Sequence, residues 1–246
     1  MLIPTMTYQE ILKEVSLDVK ELNKRAEEII DRKISSKYSL FKETYRRNGN
    51  MPFQLKENKN SVIIKTSRGN SWSLIVSDIS IQRRNDYQYS LIKYIILNKK
   101  NGGREVLCPC IITNPMINLG LLHTSILSFE AHLFRRFKER YILKQNPSLK
   151  ESDTSFEKIV NVFFTVNEDF PFYNYAKDFD KDGNVKTLIV RAKTQTGILL
   201  GDADRSGRIR YKTFITEEML KDFQADLKPG SELDQMLNKK ILNLYE

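Results

Sequence analysis

The sequence predicts an α+β fold: an antiparallel β-sheet packed against a long central helix, with helical N- and C-terminal segments. Three observations predict it. An amphipathic run with apolar residues every three or four positions opens the chain. Runs rich in β-branched and aromatic residues, separated by short turn signals, fill most of the middle. A second long helical pattern, near Thr124 to Lys144, interrupts them. The 246 residues then divide into an N-terminal helical segment at 1–50, an α+β core at 51–215 and a C-terminal helical segment at 216–246.

Taken in order, Thr7-x-x-Glu10 is a capping box, and Leu12, Val15, Val19, Leu22, Ala26 and Ile29 form one narrow apolar seam over roughly 8–33. The seam serves packing on its own chain or, as a coiled coil, a homodimer. Residues 34–57 extend the helix as far as Arg47, ahead of Asn48-Gly49-Asn50 and Pro52. From Ser61, SVIIKT, SWSLIVSDI, QYSLIKYIIL and REVLCPCII read as strands, joined at Arg68-Gly69-Asn70 and Asn101-Gly102-Gly103. The central helix, Thr124 to Lys144, stops at Asn146-Pro147. Thr154-x-x-Glu157 opens a shorter helix at about 155–165, with Phe156, Ile159, Val160 and Phe163 on its apolar side. FYNYAKDF, NVKTLIVRAKT, GILLG and RIRYKTFI then form an antiparallel meander, and helices at about 217–228 and 232–244 close the chain.

With 40 Lys+Arg against 31 Asp+Glu the net charge is +9, and 40% hydrophobic content is ordinary for a globular protein. No apolar stretch approaches the roughly 20 residues that span a bilayer, and the N-terminus lacks an apolar leader core. No membrane association is expected, and a cytoplasmic location is the default expectation. Cys108 and Cys110 are read as reduced thiols, because Cys-Pro-Cys has poor disulfide geometry and too few metal ligands nearby. The C-terminal residues 216–246 carry four lysines and seven acids, so the basic excess lies in the body, notably at 81–104 and 183–215. Clustered Lys and Arg point to RNA or another polyanion as partner, against the alternative of a merely solvated basic surface.

Two acidic turns, Asp178-x-Asp180-x-Asp182-Gly183 and Asp202-x-Asp204-x-Ser206-Gly207, copy the start of a calcium loop. Their twelfth positions are Ile189 and Thr213, so the closing bidentate carboxylate is missing and hairpin turns are the expected reading. No metal and no cofactor are expected. Tyr87, Tyr89 and Tyr94 beside Arg83, Arg84 and Lys93 have the composition of a base-stacking platform, but alternate aromatics on a strand more often make core and cross-strand pairs.

The central helix carries the sharpest chemistry. His132, Arg136 and Arg140 stand at i, i+4 and i+8, a single row bordering the apolar side formed by Ile126, Leu133, Phe137 and Tyr141. Arg135 and Lys138 fall on the opposite, solvated side. A half-buried arginine needs a carboxylate, a carbonyl or a ligand anion. The row is thus a structural ion-pair ladder or a phosphate site with a titratable imidazole beside it. His123, just before the helix, caps or packs there, or reaches the same cleft.

This helix, with a following antiparallel sheet whose last strand carries Lys212-Thr213-Phe214, resembles the barnase, EndoU, colicin and RelE-type ribonuclease superfold over residues 124–215. The resemblance implies metal-independent RNA cleavage by attack of a 2′-hydroxyl on the adjacent phosphate. It also implies His132 as acid/base, Arg136 and Arg140 as holders of the scissile phosphate, and Thr213 as a donor to it. A non-catalytic interaction or scaffold domain is the alternative.

Overall fold

A computed structural model of the chain describes residues 1–48, 53–55, 61–83, 86–99, 102–112, 123–149, 154–167, 172–179, 185–203 and 208–219. The C-terminal helices expected beyond 219 and most of both acidic turns lie outside the described residues. Helix α1 (Tyr8–Asn48) is followed by β1 (Phe53–Leu55), β2 (Val62–Lys65), β3 (Ser71–Arg83), β4 (Asp86–Asn98), β5 (Arg104–Ile112) and β6 (His123–Glu130). Next come α2 (Ala131–Phe137), a π-helical turn (Lys138–Ile142), α3 (Leu143–Gln145) and α4 (Phe156–Val166). A meander of β7 (Phe172–Phe179), β8 (Val185–Lys193), β9 (Ile198–Ala203) and β10 (Ile209–Ile215) follows.

The strands form one ten-stranded sheet in the order β1-β3-β4-β5-β6-β10-β9-β8-β7, with β2 also on β3. Because β4 occupies the other side of β3, β1 and β2 share one edge, pairing with opposite ends of that strand. Every pairing is antiparallel except β6 with β10, which is parallel. An antiparallel sheet with helices grouped beside it is therefore the architecture, with one parallel junction where the chain crosses over.

Helices lie on both sides of the sheet. On one side α1 lays Ile11, Val15, Leu22 and Ala26 over Trp72, Leu74, Ile95, Leu107 and Ile126, and Ile30 and Ile34 over Val76, Ile79 and Ile81. This burial holds the helix, since each enclosed aliphatic side chain contributes about 1.5–3 kcal/mol. Of the predicted seam, Val15, Leu22 and Ala26 are buried on the chain's own sheet and Leu12 and Val19 pack beside them, while Ile29 lies outside these clusters. A polar junction fixes the docking. Buried Asp18 accepts from Trp72 Nε1 at 2.8 Å and from Asn70 Nδ2 at 2.6 Å, while the Leu2 amide donates to Asn70 Oδ1 at 2.7 Å. Glu14 adds ion pairs to Arg68 and to the N-terminal amine.

The other side is aromatic. Tyr94, Phe129, Tyr211 and Phe214 from the sheet meet Phe134, Phe137, Phe163 and Phe164 from α2 and α4. Tyr94 stacks on Phe164 at 4.7 Å, and Phe137 stands edge-on to Phe214 at 5.3 Å. Tyr94 is therefore core rather than a base-stacking surface, and Lys93 points to the α1 side, where its ammonium donates to Asn23 Oδ1 at 3.0 Å.

Two sequence expectations are corrected. Residues 123–130 are strand, and in place of one long central helix from Thr124 the chain forms the seven-residue α2 from Ala131, followed by the π-helical turn and the short α3. The reason is two-sided burial: Ile126 packs under α1, while Leu127 and Phe129 enter the aromatic side. With apolar residues only at Ile126, Leu127 and Phe129, the segment shows neither the alternation of a half-buried strand nor a run long enough to separate strand from helix. The shorter helix α4 is capped by Ser155, whose Oγ accepts from the Lys158 amide at 3.3 Å, one residue later than Thr154.

Candidate anion-binding surface

Helix α2 is held by its apolar side, where Leu133, Phe134 and Phe137 are fully buried. That burial presents His132, Arg135, Arg136 and Glu139 outward or at the rim. The π-helical turn then alters the geometry: the Leu143 amide bonds back to the Lys138 carbonyl, and the i to i+5 pattern turns less per residue than an α-helix. Arg140 lies in that turn and leaves the straight row. Its guanidinium reaches the end of β10 and donates to the Phe214 carbonyl.

The other members of the row have local partners. Arg136 forms an ion pair with Glu139 at 2.8 Å, and an Arg135 guanidinium nitrogen lies 2.7 Å from His132 Nδ1. A guanidinium has only donors, so Nδ1 accepts and the neutral ring carries its proton on Nε2. Burial lowers the His132 pKa first, with further lowering by Arg135, Arg136 and Arg140, opposed by Glu139. The Arg140 guanidinium is likewise less favoured in its charged form, through burial and then Arg136. Burial is the first cause in both cases, and crowded like charge the second. Arg135, expected on the solvated side, is a direct neighbour of His132; its i, i+3 spacing is the signal that could have found it. Lys138, also expected on the solvated side, is 7% exposed.

Thr213 is not brought to this group. It pairs with Leu200, while the adjacent Phe214↔Leu199 pair enters the aromatic core under α2. Alternation along the strands therefore puts Thr213 on the side of the sheet away from the row. His123 sits at the start of β6 opposite Ile112, and its side chain lies outside the described residues.

The basic residues in and just before β10 are largely matched by acids. Arg208 bonds to Glu105, which is 7% exposed and also accepts from Ser128 Oγ. Arg210 pairs with Asp202 at 2.9 Å, and Lys212 bonds to the same carboxylate. Two apart on one strand, Arg210 and Lys212 share a face, which permits that sharing. Gly201 lies opposite, where a Cβ would stand 1.9 Å from the Arg210 carbonyl oxygen. Asp202, the first residue of the second acidic turn, is thus neutralised by lysine and arginine. Among the described residues no group of His, Cys, Asp and Glu is arranged to hold a metal ion, and no helix is long and apolar enough to cross a membrane. No family model matches the chain, and no significant match is found among curated proteins or solved structures.

Proposed function

We propose that the outer surface of α2 and its π-helical turn binds a polyanion, single-stranded RNA first, and that its role is binding rather than strand cleavage. The observation that carries this reading is electrostatic. Arg135, Arg136 and Arg140 crowd an imidazole whose pKa they and burial depress, with the Glu139 carboxylate opposing them. An anion placed there relieves the repulsion, and guanidinium forks match phosphate oxygens. The chain's charge of +9 supplies the longer-range attraction. Proton transfer is less well served, since His132 Nδ1 is engaged by Arg135 and Thr213 lies across the sheet.

Binding of a labelled single-stranded RNA, followed over a series of salt concentrations, tests the reading. Affinity should fall with salt, and Arg135→Glu with Arg136→Glu should weaken binding and reduce the salt slope by about one for each phosphate no longer neutralised. The His132 resonance should titrate below the ordinary histidine value in free protein and move up when RNA is bound. Release of 2′,3′-cyclic phosphate ends in EDTA, abolished in His132→Ala, would instead establish the catalytic form.

A scaffold reading is favoured by the Arg140 bond to the Phe214 carbonyl and the Arg136–Glu139 pair. It predicts no RNA binding, with Arg140→Ala lowering the melting temperature.

A further inference from the structure

We propose that the outer edge of β2, together with the flank of α1 beside it, docks an extended acidic peptide that adds to the sheet as a further strand. The backbone pattern sets which groups are available. At the hairpin the Thr66 amide donates to the Asn70 carbonyl at 2.9 Å, and the register runs Lys65↔Ser71, Ile64↔Trp72, Ile63↔Ser73 and Val62↔Leu74. Antiparallel alternation then makes Ile64 and Val62 the residues bonded to β3, while Ile63 and Lys65 direct both N–H and C=O away from it. Among the described residues no strand pairs with that outer edge. Unpaired edge groups of this kind are a template for another strand.

The side chains around the edge favour an occupant with apolar residues. Val62 is 45% exposed and Ile63 74% exposed. Between β2 and α1 runs a groove of about 290 Å³ that reaches Ile29, Arg25 and Arg32. A strand added to β2 would place alternate side chains in this groove and the others beside Ile63 and Lys65.

Charge selects the kind of peptide. Arg25 pairs with Glu28 at 3.1 Å, and Arg32 Nε donates to the Glu28 backbone carbonyl at 3.1 Å. Among the described residues neither Arg32 nor Lys65 meets a carboxylate. Arg25 and Arg32 thus face one acid along the groove, and Lys65 adds a third cation on the other side of the strand, which suits carboxylates. A second copy of the chain would bring the same cations to the same edge, so β2-to-β2 pairing is opposed.

The test is fluorescence anisotropy with a labelled, end-capped peptide of about eight residues alternating valine and glutamate. A lysine-for-glutamate counterpart and a copy with alternate backbone amides N-methylated serve as comparisons. The glutamate peptide should bind at least about tenfold more tightly than either. Ile63→Pro removes an outward N–H while leaving the β2–β3 ladder intact, and Arg32→Glu reverses a groove charge; each should lower affinity about tenfold. Absence of saturable binding by the glutamate peptide, equal binding by the lysine peptide, or indifference to N-methylation overturns the proposal. These peptide comparisons use the unaltered protein and do not depend on how a variant folds. Sedimentation showing a dimer abolished by Ile63→Pro would assign the edge to a second copy and overturn it as well.

Discussion

Asp18→Ala should loosen the junction between α1 and the sheet, and the expected size follows from the bonds present. Asp18 is 0% exposed, and its Oδ2 accepts from Trp72 Nε1 and Asn70 Nδ2. Alanine leaves both donors buried without a partner, at about 1–3 kcal/mol each. Relief of the carboxylate's own desolvation offsets part of this, since its Oδ1 has no partner among the described residues. A net loss of about 2–4 kcal/mol is expected, or roughly 4–16 °C in Tm for a domain of this size. Asp18→Asn keeps an acceptor for both donors and should cost about 1 kcal/mol. Trp72 is the sole tryptophan, so its emission reads the junction directly in urea or thermal melts. The alanine variant should unfold earlier with an emission shift toward that of exposed indole. Equal stability of both variants and wild type, with unchanged Trp72 emission, would refute the assignment of this junction as the anchor of α1.

Three further outcomes are expected. Arg68 and the N-terminal amine lower the Glu14 pKa from 4.5 to about 2, so its contribution to stability is complete above the unfolded value and is lost as pH falls from about 4.5 toward 2. Glu14→Gln should flatten acid unfolding in that window, measured by Trp72 emission. Phe163, fully buried among Phe129, Phe134, Phe137 and Phe164, should cost about 3–5 kcal/mol when replaced by alanine, read from urea midpoints. Calorimetric titration of calcium into chelator-treated protein should give no heat beyond dilution, because Asp202 is committed to Arg210 and Lys212; a stoichiometric response would make the acidic turns a site.

Local pattern by itself determined much of this protein. The capping box at Thr7 and Glu10 forms as its spacing predicts, with Glu10 Oε2 accepting from the Thr7 amide at 2.7 Å. The three-four spacing placed α1 and α4, and β-branched runs broken by turn residues placed β2 to β5 and the later meander. These signals are local: a cap, a period or a turn conformation depends on residues within a few positions.

What the tertiary structure decided depends on which surfaces meet. Residues 123–130 became a strand because α1 and the aromatic helices cover both of their sides, a condition that leaves no alternation to read. His132, Arg136 and Arg140 were legible as a group from helical spacing, yet their partners were not. The π-helical turn swings Arg140 to the Phe214 carbonyl, and strand register sends Thr213 to the other side of the sheet. A one-residue change in strand register reverses the direction of a side chain and one in helical winding turns it by about 100°, and such steps are set by packing across the fold rather than by neighbours in the chain.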